Sequence, residues 1–273
     1  MDRALTAAER LAVRPKNLLT NSNSNLARDG ILSWTLPAGP VRMGDGRTFN
    51  PCPSAGICLQ ACYAMNGTYR IPSVRERHQR NLAYVLDDLP GWTAQMIAEI
   101  NAKRRPVIVR IHDAGDFFSD EYLAGWRRVW DACPASRFYA YTKEADRIER
   151  LVAPKPPANF RWVYSYGGTQ DTRLDPAVHR VADVFPSVEA LQGAHHHDQA
   201  DSDLLAVDGP SPVGMAANRI PKVLALLGSR TFRTWQQEAD AERVALRQRR
   251  QVRFTGDADP WGPLVDRLLH DAI

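Results

Sequence analysis

The chain has 273 residues, 44% hydrophobic and 24% charged, with a formal net charge of +4 at pH 7. This is the composition of a soluble globular protein with ample apolar residues for a core, and its mild basicity permits contact with nucleic acid without arguing for it. No apolar run approaches a membrane span and the N-terminal MDRALTAAERLAVRPKN lacks the apolar core of a signal peptide, so a cytoplasmic protein is expected. In that compartment four cysteines read as metal ligands or buried thiols sooner than as disulfides.

Residues 4–13 are expected to form a short helix, followed by KNLLTNSNSNLARDG, whose Asn and Ser favour turns; residues 1–30 therefore read as an N-terminal arm. ILSWTL (31–36) is a first strand, ended by Pro37 and Pro40. Residues 50–69, NPCPSAGICLQACYAMNGTY, hold Cys52, Cys58 and Cys62, with five and then three residues between them. Ser73 with Glu76 has the capping-box spacing for a long helix, and a second helix (92–103) follows the Pro90–Gly91 break. PVIVRI (106–111) is the strongest strand, apolar enough to be covered on both faces, and it runs into HDAGDFFS. Ser119 or Asp120 caps the next helix, which carries Tyr122, Leu123, Trp126, Val129 and Trp130.

A strand at 137–143, a helix at 145–153, a strand at 160–168 and a weaker strand at 182–185 follow. This alternation predicts βα units and a parallel sheet. The expected fold class is thus a single α/β domain, a partial (β/α) barrel of about six strands. Residues 31–190 form its core, 191–216 a polar excursion and 217–273 a C-terminal helical region. Within the last, helices are expected at 218–227, 232–249 and 262–272, with one more strand at 252–257.

Three thiolates on so short a loop can grip one soft metal centre, because sulfur ligands select zinc, copper(I) or iron–sulfur clusters. With three protein ligands one coordination position is open, which points to chemistry. With four, Cys133 or a histidine completing the set, the site is closed and structural. Structural zinc sites usually come as paired CxxC knuckles, and the loop has none. Buried thiols with no metal are the third alternative. A four-iron cluster on three cysteines leaves one iron able to bind S-adenosylmethionine, whose reductive cleavage gives a carbon radical.

The order of first strand, three-cysteine loop ending in CYA, helix, then strand ending in GD resembles the radical-SAM superfamily. The usual spacing there is three and then two residues, and an aromatic usually precedes the third cysteine. Here Ala61 precedes Cys62 and Tyr63 follows it. Closer still, LLTNSNSNLARDGI, CYAMNGTYR, VRIHDAGDFFSDEYLAGW, FYAYTK and PVGMAANRIPKV are similar to an uncharacterised family of phage-associated proteins, the gene-product-eighty-eight-like domain. That similarity covers most of the chain. Members often carry further cysteines in the C-terminal half, where this chain has FPSVEALQGAHHHD.

The radical-SAM resemblance implies a [4Fe–4S] cluster on Cys52, Cys58 and Cys62, S-adenosylmethionine on the open iron, and an electron donor. It also implies a cofactor-seating role for Gly115 and Asp116, glycine for close backbone approach and the carboxylate for the ammonium. Tyr63 and Ser165 are further candidate cofactor contacts. His112, Asp113 and Lys143 are candidate catalytic residues, since polar groups at the carboxyl ends of barrel strands face the active-site mouth. Ordinary turn, cap or strand-end polarity is the competing account of each. The phage resemblance suggests a nucleotide or nucleic-acid substrate; the alternative is a non-enzymatic phage accessory protein with a structural zinc or cluster site and a basic surface. His195, His196 and His197 read as a surface loop, since adjacent residues cannot easily aim at one ion. His78 reads as lying on a polar helix face with Arg75 and Arg77. Arg233, Arg243, Arg247, Arg249 and Arg250 read as a solvated face beside Glu238, Asp240 and Glu242, or as a nucleic-acid contact.

Overall fold

The computed structural model describes Thr6, Glu9, residues 12–217 and residues 220–255, the last seven without their side chains. The expected helix at 4–13 lies largely outside these residues, and that at 262–272 wholly outside them. The chain forms two compact units, Met1–Gln236 and Gln237–Ile273.

In the first unit the strands are β1 (Ile31–Trp34), β2 (Val41–Arg42), β3 (Thr48–Phe49), β4 (Ile108–Ile111), β5 (Arg137–Thr142), β6 (Phe160–Ser165), β7 (Val181–Phe185), β8 (His197–Asp198) and β9 (Val213–Ala216). The helices are α1 (Ser24–Arg28), α2 (Pro72–Asp87), α3 (Leu89–Asn101), α4 (Asp120–Ala132), α5 (Ala145–Leu151), α6 (Val188–Gly193), α7 (Leu205–Asp208) and α8 (Pro221–Leu227). A ninth, α9, runs Phe232–Thr255. Its part beyond Gln236 exposes Arg243 and Arg247, as the solvated-face expectation has it, and pairs Arg243 Nη1 with Asp240 Oδ1 at 3.2 Å. The strand expected at 252–257 is instead the end of this helix as far as Thr255. Helical continuity from the preceding turns outweighs a short β-favouring run.

Seven strands form one sheet in the order β1-β4-β5-β6-β7-β9-β8, and every pairing in it is parallel. The α/β class and the parallel sheet are as expected, but the sheet has seven strands rather than about six, and it is open, with β1 and β8 as its edges. From β1 through β7 the strands stand side by side in chain order, without the reversal that marks a doubly wound sheet. Register fixes which residues share a face. Trp34 pairs with Ile111, Ile111 with Ala140, and Phe138 with both Val109 and Phe160, so these six line one face.

Helices α3 and α4 cover that face through aromatic side chains. Trp92 lies 5.6 Å from Trp34 and 5.1 Å from Trp126, and Trp130 stacks on Phe160 at 3.9 Å. Fully burying Phe138 or Phe160 contributes about 1.5–3 kcal/mol each. The opposite face packs Ile31, Tyr139, Val163, Ala182 and Val213 against Leu26 of α1 and Ala206 and Val207 of α7. A sheet covered on both faces needs near-continuous apolar strands, as PVIVRI foretells.

Local chemistry shifts several boundaries. Helix α2 begins at Pro72 with Ile71 as a side-chain-free cap, so Ser73 is already helical; proline at the first helical position has no N–H to leave unpaired. Pro90 and Gly91 belong to the first turn of α3, because Asp88 caps it and accepts from Gly91 N at 2.8 Å. Ser119 caps α4 as expected, accepting from Tyr122 N at 3.1 Å. The excursion is more ordered than its polarity suggests: β8 extends the sheet beside β9, and α7 packs on its face. No helix among the described residues is long and apolar enough to cross a membrane.

Candidate active site at the cysteine loop

The cysteine loop lies across the carboxyl ends of β4, β5 and β6, and main-chain bonds hold it there. Asp116 N, just past β4, donates to Pro51 O at 2.8 Å. Ser54 N donates to Glu144 Oε1 at 3.0 Å, just past β5. Beyond β6, Gly167 O accepts from both Gly56 N and Cys58 N at 3.1 Å, and Thr169 N donates to Ser54 O at 2.8 Å. Between these anchors Ile57 is fully buried, its N–H taken by Gln236 Oε1 at 2.8 Å. Gly167 sits at φ +95°, and a Cβ there would come within 2.9 Å of Phe232 and 3.1 Å of Ile57. Only glycine suits that backbone and that approach.

Cys52, Cys58 and Cys62 are half-buried free thiols. Burial pushes Cys52 up to about 12 against the Gly39 N–H that donates to its sulfur at 3.4 Å, and the charges of Asp116, Cys58 and Cys62 add to the rise. Burial, with the neighbouring Cys58, also pushes Cys62 up to about 12, opposed by the N–H groups of Ala64 and Met65 and by the Lys143 ammonium. Cys52 thus lies within the electrostatic reach of Asp116, Cys58 and Cys62, and Cys62 within that of Cys58 and Lys143. Cys133 does not join them. It caps the C-terminal end of α4, before the start of β5, and the mouth lies past the end of that six-residue strand, roughly 20 Å away. Among the described residues, no three His, Cys, Asp or Glu side chains are gathered closely enough to hold a single metal ion.

Asp116 is buried, and its carboxylate ties two strand ends together. Oδ1 accepts from Thr142 Oγ1 at 2.6 Å and from Phe117 N at 2.8 Å, while Oδ2 accepts from Lys143 N at 2.8 Å. Burial raises it above the usual carboxylate range despite these donors. Gly115, at φ +90°, makes the turn before it, packed on Leu36. Lys143 is neither solvated nor free: its Nζ donates to Ser165 Oγ at 2.7 Å, Ser165 O at 3.0 Å and Tyr166 O at 2.9 Å. Ser165 is thereby placed at the mouth as Lys143's partner.

His112 is a packed side chain. It is buried at φ +66°, with Phe117 4.7 Å and Tyr122 5.6 Å from its ring. Trp34 Nε1 donates to Tyr122 Oη at 2.7 Å, which leaves the single Tyr122 proton for His112 Nε2 at 2.9 Å. Burial lowers its pKa to about 3, so it is neutral, with its proton on Nδ1. Asp113 goes the other way, toward the loop. It accepts from the Tyr69 hydroxyl on Oδ2 and from the Tyr63 hydroxyl on its main-chain oxygen. Tyr63 leaves 36% of its surface exposed, yet its hydroxyl end is enclosed, and burial raises its pKa well above the ordinary value. His78 turns inward against Tyr69, ring centroids 5.7 Å apart, rather than lying on a polar face; burial lowers it to about 4.

The sheet face behind Asp113 carries residues that composition and motif miss. Arg110 Nη1 lies 3.2 Å from Asp203 Oδ2 and 3.8 Å from Asp113 Oδ1, and its guanidinium stacks over Tyr141 at 5.0 Å. Burial opposes the Arg110 charge, but Asp203 and the other neighbours outweigh it and raise its pKa. The Tyr139 hydroxyl donates to Asp203, and the Tyr141 hydroxyl donates to Gln199 Oε1 with Asp203 Oδ1 3.3 Å away. Arg110, Tyr139 and Tyr141 share one strand face, a period of two that marks them within otherwise apolar strands. Asp203 carries no local signal. The histidine run does not converge either: His196 packs on Phe185 at 4.7 Å, while His197 pairs with Val213 in the sheet. Arg233 lies over the Tyr166 ring at 5.0 Å instead of standing in solvent.

Residues 11–248 match the family model described as Gene product 88. The chain is 29% identical over 119 residues to the Gene 88 protein of Mycobacterium phage L5, covering 39% of this chain and 48% of that protein. It is also 29% identical over 131 residues to the Gene 88 protein of Mycobacterium phage D29, covering 43% and 52%. The match thus spans about half the length of these relatives. No solved structure matches. With the family model covering nearly all of the described fold, the chain belongs to the Gene product 88 family.

Proposed function

We propose that Cys52, Cys58 and Cys62 hold a [4Fe–4S] cluster and that the protein is a radical-SAM-like enzyme acting on a nucleotide or nucleic acid. The observation that carries this reading is the docking of the three-cysteine loop on the carboxyl ends of three adjacent parallel strands. Ligands of parallel α/β sheets bind at those ends. The chain-order run of strands from β1 to β7 favours a partial-barrel relationship.

The donor set is three thiols on one loop, the ligand number that leaves one iron of a four-iron cluster open. Cys133 stands too far away to close the site. When bound and reduced, a three-cysteine cluster with S-adenosylmethionine supplies a carbon radical.

The chain's own residues supply charge balance and position. The N–H groups of Gly39, Ala64 and Met65 and the charge of Lys143 favour the thiolate forms of Cys52 and Cys62, Gly39 acting on Cys52 and the others on Cys62. Such donors favour thiolate and tune a cluster's potential. Asp116 is largely used in joining β4 to β5, so its part is to position Lys143 through the main-chain N–H. The substrate class rests on phage-family membership alone, an association.

Anaerobic purification with iron, sulfide and visible-absorbance assays tests the reading. Brown protein with about four irons and four sulfides per chain is expected, with colour lost when all three cysteines become serine. Because Cys52 and Cys62 stay protonated at neutral pH, loading should release protons and tighten as pH rises. Colourless protein carrying stoichiometric zinc overturns it and leaves a structural clip in an accessory protein.

A further inference from the structure

A cavity of about 460 Å³ opens at the β1 edge of the sheet, lined by residues other than those of the cysteine loop. The N-terminal arm supplies Asn17, Thr20 and Asn21, β1 supplies Leu32, α2 supplies Arg77, and Lys103 enters just past α3. The arm is fixed in place on the sheet: Thr20 bonds Ser33 in both directions, N to O at 3.0 Å and O to N at 2.8 Å. Glu99, also in the wall, uses both carboxylate oxygens on that arm, accepting from Leu18 N at 2.6 Å and Leu19 N at 3.1 Å. The cavity is therefore a built feature and not a loose gap beside a tail.

Its chemistry is that of an anion site. Among the described residues the side chains of Arg77 and Lys103 make no hydrogen bond or ion pair; Arg77 is half-buried and Lys103 is exposed. Burial works against the Arg77 charge, Glu99 supports it at longer range, and Arg80 opposes it. Arg80 adds its positive charge nearby, and its Nε is buried without a partner. An unpaired, half-buried guanidinium such as that of Arg77 is costly, and a bound anion relieves that cost. A guanidinium fork and an ammonium together suit a phosphoryl group, the one bidentate and the other a point charge. Asn17, Asn21 and Thr20, whose hydroxyl is bonded to Ser22, line the wall with Leu19, Leu32 and Glu99. The volume lies within the range of small-molecule sites.

We propose that this cavity binds a small phosphorylated molecule of the nucleoside-monophosphate kind, with its phosphoryl group at Arg77 and Lys103 and its polar remainder against Asn17, Thr20 and Asn21. Titration calorimetry of the full chain with adenosine monophosphate, adenosine and inorganic phosphate tests it. The monophosphate should bind, inorganic phosphate should compete more weakly, and adenosine should bind far less. Arg77→Gln with Lys103→Gln should weaken monophosphate binding about tenfold or more at an unchanged denaturation midpoint. No heat with the monophosphate at about 10 mM, undiminished binding in the double variant, or adenosine binding as well as the monophosphate each overturns the proposal. Phosphate binding as tightly as the monophosphate overturns the role given to the amides and Thr20. The triple cysteine variant should bind as the parent does, so failure of the cluster reading and failure of this one are read separately.

Discussion

Glu144 joins the cysteine loop to α5, with Oε1 on the Ser54 N–H and Oε2 on the Arg147 guanidinium, and it is 2% exposed. Burial, then the nearby Asp116 charge, outweighs those donors and pushes its pKa up to about 7. Between its unfolded value, near 4.5, and 7 the native state holds more protons than the unfolded chain. The contribution of this group to stability is therefore full below that window and is lost as pH rises through it, by a few kcal/mol on the order of the shift. Glu144→Gln should remove that slope. Urea midpoints of parent and variant from pH 4.5 to 7.5 measure it, and a parent-minus-variant difference that grows with pH would refute it. Asp116 holds three donors that Asp116→Ala would orphan. The loss should be about 3–5 kcal/mol in denaturant unfolding, mostly from buried donors left unpaired.

The cysteine loop, as an element, is held less by its side chains than by glycines at the end of β6. Gly167 accepts two loop N–H groups and needs φ +95°, and Gly168 lies so close that a Cβ would meet Ser54 O at 2.9 Å. Asp171 holds both glycines from below, accepting from their N–H groups at 2.7 and 2.9 Å. Gly167→Ala should strain the backbone and push Ile57 and Phe232 apart, at a cost of about 1–3 kcal/mol. Hydrogen exchange should rise at Gly56 and Cys58 while β4 and β5 stay protected. Equal protection in parent and variant would show that the loop is held elsewhere.

Over the whole molecule, residues distant in sequence close the face behind the mouth. Asp203, in the excursion, meets Arg110 of β4 and Tyr139 and Tyr141 of β5, while Arg28 donates to Asp201 O at 2.6 Å and Ser202 to Asp29 Oδ2 at 2.7 Å. Asp203→Ala leaves Arg110 buried with the 3.8 Å contact to Asp113 as its ion pair and the Tyr139 hydroxyl short of an acceptor, while Tyr141 keeps Gln199 Oε1. Breaking such a pair costs about 3–5 kcal/mol. The urea midpoint should fall accordingly, and Asp203→Asn, which keeps an acceptor, should recover part of it. A loss below about 1 kcal/mol would mean that the excursion packs through Ala206 and Val207 alone.

The βα alternation, the parallel pairing, the Ser119 cap and the placement of the cysteine loop after the first strand were all legible in the chain, because helix and strand periods, caps and apolar runs are local properties. Family membership was legible too, in segments such as CYAMNGTYR and FYAYTK. Where His112 and Asp113 point was not: they are adjacent, yet one packs under α4 and the other faces Tyr63 and Tyr69. Nor were the two strands beyond β7: Val213–Ala216 falls within the stretch expected to be a polar excursion, and His197–Asp198 has no strand character of its own and is held by its pairing with β9. Asp203, Arg110 and the separation of Cys133 from the other thiols belong to the same class. Each depends on which strands lie side by side and which end of the sheet a turn occupies, and chain order expresses that only after the sheet has closed around its core.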